Sequence, residues 1–231
     1  MMRGVRVLGG LRRLGVAMVV AAVAGGVLGL VPASSASAAG CAPRTGPYQR
    51  PVEKYLGLRV DGVASYADCI AVQNFQRRFD IRPAVGYAGP LTNSIVVRLS
   101  TAHYGQCAFS YYTRVCVDLT SQVMWVTKAG KRTYGPTPIR TGRKYLTTPA
   151  GFFSIQDKKI STVSSIFKVK LPYWQRFYRD MGFHQTTTYL YDPQIPGSHG
   201  CINLLPSDAK ALFGITARGT SVHIFGRKPG T

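Results

Sequence analysis

Ser198-His199-Gly200-Cys201-Ile202-Asn203 concentrates the reactive side chains of this 231-residue chain, and its context decides how the second half folds. It follows the turn-rich run Asp192-Pro193-Gln194-Ile195-Pro196-Gly197 and opens a short apolar strand candidate, Cys201 to Leu204. A glycine just before a nucleophile frees the backbone. The amides of Gly200 and Cys201 are therefore expected to turn toward one point, as an oxyanion hole requires. A thiol also needs a nearby base or cation to act as thiolate near neutral pH, and the chain offers four histidines. His103 falls in a linker. His223 alternates with Val222 and Ile224 and is expected to face away from them, toward solvent. His199 and Cys201 are two apart and would share one face of a strand. His184 ends Met181-Gly182-Phe183-His184 and leads into a predicted strand, Thr186 to Tyr191, that would carry it beside Cys201.

The cysteine count isolates the same residue. Five cysteines are an odd number, so in an oxidising compartment one thiol is left over. Pairing Cys41, Cys69, Cys107 and Cys116 leaves Cys201 free; three pairings of the four are open, and Cys41 with Cys69 and Cys107 with Cys116 is the preferred one. No C-x-x-C or H-x-x-x-H spacing occurs, so neither a metal nor another cofactor is expected.

The compartment is read from the N-terminus. Arg3, Arg6, Arg12 and Arg13 form a basic region without acids, Leu14 to Val31 is an apolar run, and Ala36-Ser37-Ala38 is a small-residue cleavage site. Residues 1–38 are expected to be a secretory signal peptide, leaving no membrane segment after cleavage. The charge then acquires a meaning. The chain carries 29 Lys plus Arg against 9 Asp plus Glu, a net +20, and loss of the leader's four arginines leaves 25 bases against 9 acids, +16. Such a charge calls for an anionic partner. Nucleic acid is not expected for an exported chain without any recognisable nucleic-acid-binding motif; the anionic cell wall is.

Periodicity divides the remainder. Residues 39–49 form a short leader, 50–100 a small helical domain, 101–114 a linker, 115–226 a β-rich domain and 227–231 a tail. The helical domain has candidates at Pro51–Leu56, at Tyr66–Phe79 with Ala71, Phe75 and Phe79 at four-residue spacing, and at Asn93–Leu99 with Thr92 as its cap. From about residue 115 the period falls to two. Strands are predicted at Val115–Thr120, Gln122–Lys128, Pro138–Thr141, Gly151–Gln156, Thr186–Tyr191, Cys201–Leu204 and Ser221–Phe225. A helix at Pro206–Phe213, stopped by Gly214, interrupts them. Asp157, Lys158 and Lys159 read as a solvated cluster. The fold class expected is α+β: three small helices followed by a mostly antiparallel β domain.

Two resemblances sharpen this reading. Leu56-Gly57-Leu58, Asp61-Gly62, Ala71-Val72-Gln73-Asn74-Phe75-Gln76 and Ala88-Gly89-Pro90-Leu91-Thr92 resemble the peptidoglycan-binding-like three-helix domain, from which Cys69 and a missing glycine-proline pair after Asp61-Gly62 depart. A histidine followed at an interval by Ser-His-Gly-Cys-hydrophobe-Asn resembles the active-site signature of the YkuD-type L,D-transpeptidases of bacterial cell walls. Val117-Asp118-Leu119-Thr120, Gln122-Val123-Met124-Trp125-Val126, Thr141-Gly142, Thr148-Pro149-x-Gly151-Phe152-Phe153 and Gly219-Thr220-x-Val222 resemble the rest of that catalytic domain. The thirteen residues between His184 and Ser198 make a short interval, expected to alter a substrate lid more than the chemistry.

The resemblance implies roles. Cys201 would be the nucleophile and His184 its base, oriented by a backbone carbonyl near Gln185. Amides around His199, Gly200 and Cys201 would hold an oxyanion, and Ser198, His199 and Asn203 would shape the site, with His199 a support more than a reactant. The implied activity is transfer of a peptidoglycan tetrapeptide stem, with release of D-Ala, to the amine of a second stem. The alternatives are an L,D-carboxypeptidase using water and a catalytically silent wall-binding protein.

Overall fold

The computed structural model describes residues 40–231; the signal peptide read at 1–38 lies outside the described residues. Three helices come first: α1 (Gln49–Leu56), α2 (Tyr66–Arg78) and α3 (Pro90–Thr101). The start of α2 is set by a reciprocal cap. Ser65 Oγ accepts the Asp68 N–H at 3.2 Å while Asp68 Oδ2 accepts the Ser65 N–H at 2.8 Å, an arrangement that satisfies two otherwise orphaned donors. The expected start of α3 is corrected. Gly89 is its cap and Pro90 its first residue, because proline needs no N–H partner there. Thr92 is buried in the first turn, where its hydroxyl accepts from Gln76 Nε2 at 2.9 Å. Cys41 lies against Cys69 and Cys107 against Cys116, each pair at disulfide distance with Cα atoms 5.8 Å apart, and Cys201 is free.

Nine strands follow: β1 (Arg114–Asp118), β2 (Val123–Lys128), β3 (Lys131–Pro138), β4 (Gly151–Ser154), β5 (Asp157–Val163), β6 (Lys170–Tyr178), β7 (Met181–Gln185), β8 (Ile202–Leu204) and β9 (Ser221–Phe225). Helix α4 (Pro206–Ile215) joins β8 to β9 and runs through Gly214, which does not stop it. The strands form two mixed sheets, in the orders β3-β2-β1-β9-β4 and β5-β6-β7-β8. Antiparallel pairs predominate as expected, but β1 pairs with β9 and β7 with β8 in parallel. The inner strands of the first sheet, β1 and β2, are buried on both faces. Val115, Val117, Met124 and Val126 enter a core shared with Phe177, Phe183, Ile202 and Leu212. Their alternates Cys116, Val123 and Trp125 enter a second core with Val72, Phe75, Ile95 and Leu99 of the helices. Each fully buried valine, leucine or phenylalanine contributes about 1.5–3 kcal/mol, so the three helices gain from the sheet a core they are too small to supply themselves.

Three strand expectations are corrected. The strand expected at Pro138–Thr141 ends where it should begin: β3 occupies Lys131–Pro138, an edge strand that tolerates Pro136 and Pro138 because one side of its ladder is unpaired. Thr186–Tyr191 is not a strand; β7 precedes it. The presumed solvated cluster Asp157-Lys158-Lys159 opens edge strand β5, and Lys158 Nζ donates to the carbonyl of Phe213 at 2.6 Å and to that of Thr216 at the end of α4. His223 is also corrected, since its ring stacks on Phe152 at 4.1 Å and is partly buried.

Polar clamps join helices to sheet. Asp208, fully buried in the first turn of α4, accepts from both terminal nitrogens of Arg78 (2.6 and 3.1 Å), from Tyr134 Oη and from Thr137 Oγ1 (both 2.6 Å). Asp208 and Thr137 are out of water while Arg78 is partly exposed, so removing Asp208 costs less than breaking a fully buried pair, about 2–3 kcal/mol. Asp208→Ala is expected to lower the thermal midpoint by roughly 10 °C; a calorimetric midpoint unchanged within 2 °C would show that the clamp carries no stability.

Candidate active site

The site is built on the parallel ladder of β7 and β8, which pairs Phe183 with Ile202, His184 with Asn203 and Gln185 with Leu204. His184 thus reaches its place from within β7, and Cys201, one residue ahead of β8, comes level with Gly182. The Cys201 sulfur lies 3.8 Å from the Asp180 carbonyl oxygen. Burial pushes its thiol above the usual range, opposed by the nearby Gly182 N–H. The resting nucleophile is therefore a protonated thiol.

His184 is 5 % exposed and gripped through both ring nitrogens. Nδ1 lies 2.7 Å from the Gln185 carbonyl oxygen; a carbonyl only accepts, so Nδ1 carries the proton. Nε2 lies 3.0 Å from the Asn203 side-chain amide. The orientation of that amide follows from its other end, where Arg140 Nε donates to Asn203 Oδ1 at 3.3 Å, so Nδ2 donates to Nε2. Burial depresses the His184 pKa to about 4, with the Arg140 charge acting in the same direction and the Gln185 carbonyl against it. Thiol and imidazole are both neutral at pH 7, and the imidazole presents Nε2 as an unprotonated acceptor.

The loop before Cys201 is pinned to Thr141–Arg143. The Ser198 N–H donates to the Thr141 carbonyl at 2.9 Å and the Arg143 N–H to the Ser198 carbonyl at 3.0 Å. Ser198 Oγ donates to the Cys201 carbonyl at 2.6 Å and accepts the Gly200 N–H at 3.0 Å. The expected role of the Gly200 amide is corrected accordingly: it is spent on Ser198. The N–H groups of His199 and Cys201 have no acceptor among the described residues. What Gly200 does supply is a φ of +107°, and a Cβ there would meet Met181 at 2.7 Å. The same turn breaks the extended backbone, so His199 and Cys201 do not share a strand face. His199 instead stacks on Phe167 at 4.0 Å and accepts from Arg143 Nη2 at 2.9 Å.

Sequence reasoning missed Arg140 and gave no role to Thr148, which it quoted only as part of a family-like segment. Arg140 is buried behind Asn203, and Thr148 Oγ1 donates to the Gly200 carbonyl at 2.8 Å while accepting the Gly142 N–H at 3.0 Å. The signal available was Thr141-Gly142, where a Cβ would come within 2.2 Å of the Leu146 carbonyl oxygen. Two cavities, of about 310 and 430 Å³, flank this segment, and neither is walled by Cys201 or His184. Cys201 itself is partly exposed.

Comparison with known proteins bears on this arrangement. The profile of YkuD, the L,D-transpeptidase catalytic domain, matches residues 112–224. An L,D-transpeptidase from Stackebrandtia nassauensis is 42% identical, with a TM-score of 0.79 over 83% of this chain and 96% of that one. The catalytic domain of the E. faecium L,D-transpeptidase is 32% identical over 51% of this chain and 100% of its own, with a TM-score of 0.42. No curated protein matches the chain.

The His184 environment makes stability pH-dependent. The unfolded histidine takes up a proton near pH 6.5 and the folded one near 4, so acidification favours the unfolded chain across that window. The stability advantage of the wild type over His184→Gln in urea unfolding is expected to shrink by about 3 kcal/mol between pH 7 and pH 4. An advantage constant over that range would contradict a buried, neutral His184.

Proposed function

The chain belongs to the YkuD L,D-transpeptidase family and is an L,D-transpeptidase; from that premise we propose that it is exported to the cell wall and works through a Cys201 thioester. The observation that carries this reading is that the β7–β8 register brings a free Cys201 thiol level with Gly182, two residues before a neutral His184 whose Nε2 is unprotonated.

In the proposed cycle Cys201 Sγ attacks the carbonyl that joins the L-centre of a diamino acid to D-Ala in a tetrapeptide stem. The thiol proton passes to His184 Nε2, which requires the Asn203 amide to release that nitrogen, since an imidazole nitrogen has one lone pair. The developing oxyanion is held by the unspent N–H groups of Cys201 and His199. Collapse breaks the C–N bond, and D-Ala leaves as an amine carrying the proton from His184. The amine of a second stem then attacks the thioester, its proton returns through His184, and the thiol is regenerated. Ser198 fixes the backbone on either side of the nucleophile, Asn203 keeps Nε2 facing the site in the resting state, and Gln185 fixes the tautomer.

The surroundings fit an extracytoplasmic setting. The leader read at 1–38, the two cysteine pairs and the +16 charge of the remainder support export and retention on an anionic wall. The helical region supports wall attachment through its peptidoglycan-binding-like sequence pieces.

Purified protein incubated with tetrapeptide-bearing muropeptides is expected to release D-Ala and yield cross-linked dimers by mass spectrometry. Cys201→Ala should lose at least about a thousandfold in rate, and His184→Gln about a hundred- to ten-thousandfold. Tripeptides without dimers would assign a carboxypeptidase. Sacculus binding without turnover would assign a silent wall-binding protein, and full activity of Cys201→Ala would discard the nucleophile.

A further inference from the structure

The 430 Å³ cavity lies beside α3 and the segment leading to Cys201, with three cations in its wall: Arg98, Arg140 and Lys228. Asp192 is the single carboxylate-bearing residue lining it. None of the three cations forms an ion pair among the described residues; each is held by neutral oxygens. Arg98 donates from Nε to the Ser121 carbonyl and from Nη2 to those of Gln122 and Ile139. Arg140 donates from Nη1 to the Tyr189 carbonyl, from Nη2 to the hydroxyls of Thr186 and Thr188, and from Nε to Asn203. Lys228 Nζ donates to the carbonyls of Thr141 and Pro196.

A donor inventory shows what remains. A guanidinium has five N–H donors and an ammonium three, so Arg98 keeps both Nη1 hydrogens, Arg140 one of its Nη1 hydrogens and Lys228 one hydrogen. Four unspent donors thus sit on three cations that share one cavity. The cations also oppose one another: burial, then the charges of Arg140 and Arg98, lower the proton affinity of Lys228. Gathering like charges at a half-buried place is unfavourable unless a counter-charge arrives there.

We propose that this cavity is an oxyanion site, accepting a carboxylate or phosphate group on Arg98, Arg140 and Lys228. The site is separate from the thiol but joined to the His184 imidazole by two hydrogen bonds, Arg140 to Asn203 and Asn203 to His184. An anion held on Arg140 therefore acts on the residue that orients the Asn203 amide and on the charge nearest the catalytic imidazole. The inference stands on the cavity and its cations, independently of the Cys201 cycle.

The test is calorimetric titration of inorganic phosphate into the purified protein at fixed pH and ionic strength, with chloride as the balancing anion. Saturable binding with a dissociation constant on the order of 1 mM is expected, weakened at least tenfold in Lys228→Gln. Phosphate should also shift the His184 imidazole resonances in the wild type, a change that a general surface-charge effect would not produce. N-acetyl-D-alanine, its amide and glycerol phosphate distinguish the sources. Preference for the acid over its amide assigns a peptide carboxylate, and preference for glycerol phosphate assigns a polymer phosphate. Binding of phosphate no tighter than chloride, or equal binding by the wild type and a Lys228→Gln protein of unchanged melting temperature, would overturn the site.

Discussion

The parallel register of β7 on β8 is the constraint on which the rest of the site depends. Because His184 pairs with Asn203 and not with a neighbour, the imidazole is held between a carbonyl that can only accept and an amide turned to donate. A slip of one residue would send His184 to the opposite face of the sheet. It would also uncouple Cys201 from Gly182. Arg140 locks the arrangement from behind, pairing its backbone with Asn203 in an isolated bridge and bonding Asn203 Oδ1 through its guanidinium.

That register is kept by packing well away from the sulfur. Phe183 and Ile202, which flank the reactive pair, are fully buried in the core between the sheets. The first sheet is in turn buried beneath the helices, where Trp125 meets Tyr104 at 4.9 Å and Phe225 at 5.9 Å. The helical region is therefore part of the scaffold, whatever it binds. Interiors packed at this density transmit displacement instead of absorbing it, so the Asp208 clamp between α2, β3 and α4 serves the same rigid frame.

Much of this was legible in the sequence, and what was lost has physical reasons. The pattern of Val115 to Val126 with Val222 and Ile224 alternates cleanly because those strands divide their side chains between two cores, and β1, β2 and β9 fall where expected. Two edge strands, β3 and β5, escaped notice, as did the interior strands β6 and β7. In β3, Gly135, Pro136 and Pro138 read as loop signals, and in β5 the Asp157-Lys158-Lys159 cluster reads as solvated face, because an edge strand needs neither full burial nor a full ladder. At the site, His184 Nδ1 meets the Gln185 carbonyl as the resemblance implied, but His184 stands inside β7 and not ahead of a strand at 186–191. The free Gly200 amide did not survive, since local composition does not say that Ser198 Oγ will claim it. Arg140 was invisible for a similar reason: its partners Asn203, Thr186, Thr188 and Tyr189 lie 46 to 63 residues away.

The central claim is that the resting β7–β8 ladder carries a neutral thiol at Cys201 and a neutral imidazole at His184 with its proton on Nδ1, so that activation is a proton transfer and not a standing ion pair. Nitrogen-15 NMR of the His184 ring at pH 7 tests it most directly. The account predicts a protonated Nδ1 and an unprotonated Nε2, with no transition to imidazolium until the pH approaches 4. A doubly protonated ring at pH 7, or the opposite tautomer, would contradict it.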